Sequence, residues 1–403
     1  MAIKSRKVNH SARMQRSVHR VAVVTGTRAE FGLLESVLRA MNKRRGIDTR
    51  LIVTGMHLLP KFGRTIDQIR QAGWRVDATV KMQTGRDNPT DEPAAVARGI
   101  QGIARAVERL GCDIVLVLGD RIEAFAGACA ASVGRHVLAH IHGGDRAAGD
   151  VDDVLRNAIS RLAHVHLVAS ADAGNRLRRM GEPAGRIHRV GAPGLDDIRI
   201  FRQHQRKLRR LNNDRRTELL GPIGDRPYAV VVQHPCGQGG DAEFAIMNRC
   251  LTAVERCGLA GVVIYPNSDP GHEGIIRAID GLKSRLGWCV FRSLARADYL
   301  RVASGSAVLI GNSSSGIIES ASIGVCAVNV GDRQAGRLRC GSSVIDVGQS
   351  VQAIARGIRQ TLKRARPTPP RSLYGDGRAG ERIARVLERL IITPSFRNKQ
   401  LTY

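Results

Sequence analysis

The feature that most constrains this chain is a short, unbroken aliphatic run that keeps recurring and each time ends in small or polar residues. Val21-Ala22-Val23-Val24-Thr25-Gly26 is the first, and Ile114-Val115-Leu116-Val117-Leu118-Gly119 is the plainest. Residues 49–54, 137–141 and 166–170 read the same way. Runs without polar alternation mark strands buried on both faces, as in a parallel sheet. Helical periodicity lies between them. Leu33, Leu34, Val37 and Leu38 share one face of a predicted helix over 31–41, and further helices are predicted around Thr65-Ile66, over 125–133 and over 154–162. Strand and helix in alternation imply a parallel sheet with helices on both faces.

The alternation stops at 198–225, a polar, Arg-rich stretch after Gly191-Ala192-Pro193-Gly194. It resumes with predicted strands over 228–233, 262–266, 307–310 and 325–330, and a last amphipathic helix is predicted over 380–391. A chain of 403 residues is longer than one core usually serves. The expected fold is α/β: a first Rossmann-like domain over 21–197 and a second over 198–375. Residues 376–403 are expected to pack a helix back towards the first domain and to end in a tail. Aromatics are 3% of the chain, so the cores must be aliphatic.

Lys and Arg number 63 against 36 Asp and Glu, a net charge of +27 that favours anionic ligands. Much of the excess is scattered arginine, which suits a solvated surface. Zinc-ligand spacing and an RNA-binding signature are missing and aromatics for base stacking are few, so a nucleic-acid partner is not expected. Residues 1–20 carry Lys4, Arg6, Lys7, Arg13, Arg16 and Arg20 without an acid or an apolar segment. A basic disordered extension is expected there rather than a secretory signal. No apolar run reaches the length of a membrane span. The eight cysteines form no Cys-x-x-Cys pair, which suggests reduced thiols in a cytoplasmic protein rather than a metal site.

Five motifs follow predicted strands, where two facing parallel sheets would hold a ligand. Thr25-Gly26-Thr27-Arg28-Ala29-Glu30 offers a tight turn at Gly26, a helix start and the charge of Arg28, a set suited to phosphate; a turn with a surface arginine is the plain alternative. Asp120 in Leu118-Gly119-Asp120-Arg121 either projects into a cleft or caps the next helix. His140-Ile141-His142-Gly143-Gly144-Asp145 is followed by Asp150, Asp152, Asp153 and Arg156, more carboxylates than capping alone needs. His234 ends a strand in Val232-Gln233-His234-Pro235 and is either a functional imidazole or a polar strand end. Gly311-Asn312-Ser313-Ser314-Ser315-Gly316-Ile317-Ile318-Glu319 supplies hydroxyls and amides at a predicted helix start, an anion cradle, with Glu319 a candidate partner for ribose hydroxyls. It matches neither a P-loop nor a dinucleotide fingerprint.

In this order, and with Gly55-Met56-His57-Leu58, Tyr265-Pro266-Asn267-Ser268-Asp269 and Tyr374-Gly375-Asp376-Gly377, the motifs resemble the hydrolysing UDP-N-acetylglucosamine 2-epimerase family from about Val21 to Leu390. The resemblance implies the GT-B architecture, a UDP-sugar substrate, and a reaction without metal or nicotinamide cofactor. A base takes the C2 proton while UDP leaves C1, and water then adds to the glycal to release a free 2-epimeric sugar such as N-acetylmannosamine. By position, Asp120, Asp145, Asp152 and Asp153 are the acid–base candidates, with Arg156 and His234 in support. Arg28, His234, Asn267, Ser313, Ser314, Ser315, Gly316, Glu319 and Arg333 are expected to hold UDP, and Arg337 lies in an arginine-bearing loop. A homo-oligomer, dimer or tetramer, is compatible with the resemblance.

Many relatives have Glu at the position of His142 or of Asp145, and an Arg-His pair at Arg156-Asn157. These departures imply either a shifted substrate choice, such as a 2,4-diacetamido-trideoxyhexose, or a slower reaction; the reaction itself would serve nonulosonic acid or surface-glycan synthesis. The non-hydrolysing sister family, which typically shows a His-Arg-Arg-Glu-like motif where this chain reads Gln233-His234-Pro235-Cys236, is the first alternative. A GT-B glycosyltransferase, which leaves the Asp152 and Asp153 cluster unexplained, is the second.

Overall fold

A computed structural model describes residues 18–402 except 87, 89, 149–150, 206–208, 222, 283–284, 366 and 368–372. Residues 1–17 of the expected basic extension and Asp150 of the acid cluster therefore lie outside the described residues. The first strand, β1 (His19–Thr25), starts two residues before the aliphatic run. It is followed by β2 (Ile47–Thr54), β3 (Ala78–Val80), β4 (Ile114–Leu118), β5 (Val137–Ile141), β6 (Val165–Val168) and β7 (Ile187–Arg189). These form a parallel sheet of seven strands in the order β3-β2-β1-β4-β5-β6-β7.

Successive residues of a strand point to opposite faces, and here both faces are covered. Val21 and Val23 enter one core with Leu34, Leu38 and Met41 of the helix Arg28–Asn42. Ala22 and Val24 enter the other, with Ile103 of the helix Asp91–Arg109 and Ala124 and Ala128 of the helix Ile122–Val133. All five residues of β4 are buried. Each such Val or Leu contributes about 1.5–3 kcal/mol relative to exposure, which is why the run tolerates no polar alternation.

The second sheet is built from β8 (Tyr228–Val232), β9 (Ala260–Ile264), β10 (Trp288–Phe291), β11 (Val308–Gly311), β12 (Ala327–Val330) and β13 (Val344–Val347). It too is parallel, in the order β10-β9-β8-β11-β12-β13. The polar stretch at 198–225 is helical rather than a bare linker. The helices Gly194–Gln205 and Arg209–Leu220 fill most of it, because Leu195, Ile198 and Leu220 bury an apolar side.

The chain crosses back to the first domain through Tyr374, whose carbonyl accepts from Ala192 N at 2.7 Å. Asp196 then receives the first amides of the helix Ala379–Glu388, from Ala379 N at 2.8 Å and Gly380 N at 2.7 Å. Ile383, Ala384 and Leu387 of that helix join the core of β1 and the helix Arg28–Asn42. Beyond it, Lys399 Nζ reaches both oxygens of the buried Glu182 at 3.0 Å, and Glu182 also meets His166 Nε2 at 2.8 Å. Among the described residues no helix is long and apolar enough to cross a membrane.

Candidate active site between the two domains

Loops at the carboxyl ends of both sheets face each other across a cavity of about 280 Å³. The first domain contributes Arg28, Glu30, Asp120 and Arg121. The second contributes His234, Asn267, Arg296, Ser313, Ser314, Ser315, Glu319 and Arg333. This is where open α/β sheets present ligands, because helix starts and loop amides gather there.

Thr27 caps the helix Arg28–Asn42 by accepting from Glu30 N, and Glu30 reaches back to Gly26 N at 2.9 Å. Burial pushes the Glu30 carboxyl up to about 8. Gly26 was expected to serve a tight turn. Instead it makes room: a β-carbon there would overlap Glu123, and Gly26 is not among the glycines with positive φ. Arg28 heads the same helix, and its Nε and Nη1 make no hydrogen bond among the described residues. Burial, with Arg296 nearby, pushes this guanidinium down, so an anion placed beside it would be favoured.

Asp120 does not cap the helix Ile122–Val133, whose cap position is Arg121. It is held by Arg156 Nη2, and Arg156 Nη1 donates to the His142 carbonyl at 3.0 Å. Arg156 is 2% exposed. Asp152 opens the helix Asp152–Leu162 and meets Arg333 of the other domain at 2.9 Å. Burial, then the charge of Asp120, pushes the Asp152 carboxyl up to about 7 against the pull of Arg333. A carboxyl in that range exchanges protons readily near neutrality.

The remaining acids sit elsewhere. Asp153 does not line the cavity and accepts from Ala147 N at 3.1 Å, fixing the glycine-rich loop. Asp145 is buried against His142 Nδ1 at 2.9 Å and Arg337 Nη1 at 3.5 Å. Its burial acts upwards, but the hydrogen bond from His142 and the guanidiniums of Arg337 and Arg156 outweigh it and hold the carboxyl at about 2.

His234 is bracketed by Asn312, which accepts from His234 N at 2.7 Å and donates to its carbonyl at 2.8 Å. His234 Nδ1 accepts from Asn267 N at 3.2 Å. Burial, with Arg333 beside it, lowers this imidazole to about 3, so it is neutral and carries its proton on Nε2. The helix expected after the serines is two single turns, Ser315–Ile318 and Ser320–Ile323, broken at Glu319. Arg296 grips both Glu319 oxygens, at 2.9 and 3.1 Å, and Ser315 Oγ lies 2.6 Å from the Tyr299 hydroxyl. Gly316 does not line the cavity and sits against Ala327.

Three participants escape a reading by residue type: Arg121, Asp269 and Arg296. Arg121 Nη1 donates to Asp269 Oδ1 across the cleft at 2.8 Å. Asp269 belongs to a motif with Asn267, and that spacing was the available signal.

Two doubly wound parallel-sheet domains that face each other at their strand ends define the GT-B architecture. A sequence model described as UDP-N-acetylglucosamine 2-epimerase matches residues 39–388, and the chain belongs to that family. A relative from Legionella pneumophila, named UDP-N,N'-diacetylbacillosamine 2-epimerase (hydrolyzing), is 33% identical over 386 residues, 96% of this chain and 100% of the relative. A UDP-N-acetylglucosamine 2-epimerase from Neisseria meningitidis is 32% identical over 343 residues, 85% of this chain and 87% of the relative. The crystal structure of a Neisseria meningitidis UDP-GlcNAc 2-epimerase bound to UDP-GlcNAc superposes with a TM-score of 0.74, covering 91% of this chain and 99% of that one. At 19% identity that likeness speaks for the fold.

Proposed function

We propose that the protein is a hydrolysing UDP-sugar 2-epimerase. It converts a UDP-2-acetamido sugar and water into UDP and the free 2-epimeric sugar. The observation that carries this reading is the pair Asp120 and Asp152: Asp120 lines the cavity, and Asp152, held by the cavity-lining Arg333, is raised to about 7 by burial and by the charge of Asp120.

The substrate is UDP-N-acetylglucosamine or a UDP-2,4-diacetamido-trideoxyhexose. The second is favoured by the Legionella pneumophila relative, which matches along its whole length. The free sugar suits nonulosonic acid or surface-glycan synthesis.

In the first step one carboxylate of the pair takes the C2 proton. The C2–H electrons form the C1=C2 double bond, and the C1–O bond breaks with its electrons on UDP. The departing diphosphate gains charge in a buried site, where fixed donors act most strongly. Arg28, the hydroxyls of Ser313, Ser314 and Ser315, and the Nε2–H of His234 are such donors. Asn267 and Glu319 line the nucleotide side. In the second step water adds its hydroxyl to C1 and gives its proton to the ionised carboxylate of the pair, while the protonated carboxyl delivers a proton to C2 on the other face. Arg156, Asp145 and Asp153 hold the acid-bearing loops in register. Arg333 holds Asp152 until substrate replaces part of that contact.

The test is a panel of UDP-sugars in deuterated water. Release of UDP with a free sugar deuterated at C2 is expected. UDP release without deuterium removes the elimination step, and formation of only a UDP-linked epimer removes the hydrolytic one.

A further inference from the structure

Glu123 is a buried acid that the chemistry above leaves unused. It is 1% exposed and follows Arg121 by two residues. Two glycine motifs of the first domain close on it. A β-carbon at Gly26 would overlap Glu123 Cγ, and one at Gly55 would meet Glu123 Oε1 at 2.5 Å. Both loops are therefore shaped around this one side chain.

What Glu123 holds is Arg121. Its Oε2 accepts from Arg121 Nε at 3.1 Å. The other end of that guanidinium leaves the domain, and Nη1 donates to Asp269 Oδ1 at 2.8 Å. The second Asp269 oxygen accepts from Asn267 Nδ2. Asn267 N in turn donates to His234 Nδ1 at 3.2 Å. One unbroken chain of polar contacts thus runs from a post in the first domain to the imidazole of the second.

The pair is sheltered, with side chains 16% and 21% exposed, and the guanidinium presents two edges in fixed geometry. The rim pair between Lys61 and Glu273 also crosses the cleft, at 2.6 Å, but its side chains are 36% and 60% exposed. Solvent screens such a pair, and its worth is small.

We propose that Glu123, Arg121 and Asp269 form a latch that holds the two domains in the closed arrangement, with Glu123 its positioning residue. Glu123 aims Arg121, Arg121 grasps Asp269, and Asp269 sets Asn267 and His234 at their distance from Asp120. Without the post, the guanidinium is free to turn and the cleft, left with the Arg333–Asp152 and Arg337–Asp145 bridges, loosens. The inference rests on the reading of the cleft as the reaction site, but its first measurement needs no substrate.

That measurement is small-angle scattering of the ligand-free chain and of Glu123→Ala, Arg121→Ala and Asp269→Ala, each checked for an intact thermal transition. A larger radius of gyration in all three, and no further increase in Arg121→Ala/Asp269→Ala, is expected. An unchanged radius in properly folded variants overturns the latch.

The second measurement is a mutant cycle on kcat/KM. Each single variant is expected to lose about 10- to 100-fold, and the double variant to stay within about threefold of the weaker single, because the two side chains act as one contact. Losses that multiply overturn it. Glu123→Gln keeps the volume and one acceptor and is expected to recover most of what Glu123→Ala loses. A Glu123→Ala that melts earlier yet keeps its kcat/KM within about twofold makes the residue a packing element only and also overturns the proposal.

Discussion

Arg333 Nη2 lies 2.9 Å from Asp152 Oδ2, so a guanidinium of the second domain holds a carboxylate of the first. Burial and the nearby Asp120 raise that carboxyl, and Arg333 works against them. Its proton affinity is thus restrained by a residue 181 positions away in the chain.

The first prediction follows from that opposition. With Asp152 acting as a base, kcat/KM falls as the pH drops through about 7, where the carboxyl takes up its proton. Arg333→Met removes the influence that lowers the value, so the acid limb of the profile moves to higher pH. An acid limb that stays in place in this variant counts against Asp152 as the titrating group.

Glu30 gives a prediction about stability rather than rate. Its carboxyl stands at about 8 in the folded chain against an ordinary 4.5. The folded state therefore binds the proton more tightly than the unfolded one. The resulting stabilisation is complete below about 4.5 and is lost as the pH rises through about 8. Glu30→Gln keeps an acceptor for Gly26 N and has no proton to lose. The variant should overtake the wild type above pH 8 in urea unfolding, and the two curves should converge towards pH 5.

Gly26 is a matter of space, so its substitution should be curable. Gly26→Ala forces a methyl into Glu123 and should cost about 1–3 kcal/mol, the usual penalty of overpacking. Glu123→Ala in the same chain empties the site and should return a large part of the thermal stability, though not the activity. If the double variant melts no higher than Gly26→Ala, the clash lies elsewhere.

Lys399 should matter for the fold far more than a surface lysine. Its side chain is 10% exposed and that of Glu182 is fully buried. Removing one partner leaves a buried charge, which typically costs about 3–5 kcal/mol. Lys399→Met should lower the unfolding free energy by about 3 kcal/mol, and Lys399→Met/Glu182→Gln should recover at least half of that. Calorimetry of the three proteins decides it.

How much of this was legible in the sequence depended on burial. The strands read directly, β1, β2, β4, β5, β6, β8, β9, β11 and β12, are interior ones covered on both faces. The strands not foreseen, β3, β7, β10 and β13, are the four sheet edges. Ile187-His188-Arg189 and Val344-Ile345-Asp346-Val347 carry no continuous aliphatic signature because one side of an edge strand meets water or a loop. The amphipathic helix Asp91–Arg109 also went unread, since half of its surface is solvated.

The cavity was legible to the extent that each chemistry-bearing residue follows a buried strand. Arg28, Asp120, His234 and Ser313 were found that way. Arg121 and Asp269 were not, because each looks ordinary until the other is brought beside it from 148 positions off. Asp153 looked equivalent to Asp152, yet neighbouring residues on a helix face about 100° apart, so Asp152 meets Arg333 of the other domain while Asp153 meets Ala147 N of its own.

The helix Ala379–Glu388 lends Ile383, Ala384 and Leu387 to the core that begins at β1. During synthesis these residues leave the ribosome after every strand of the second sheet. The domain that is made first is therefore the last to be finished. Until then the flank of the helix Arg28–Asn42 that Ile383, Ala384 and Leu387 cover has no apolar partner from the C-terminal segment.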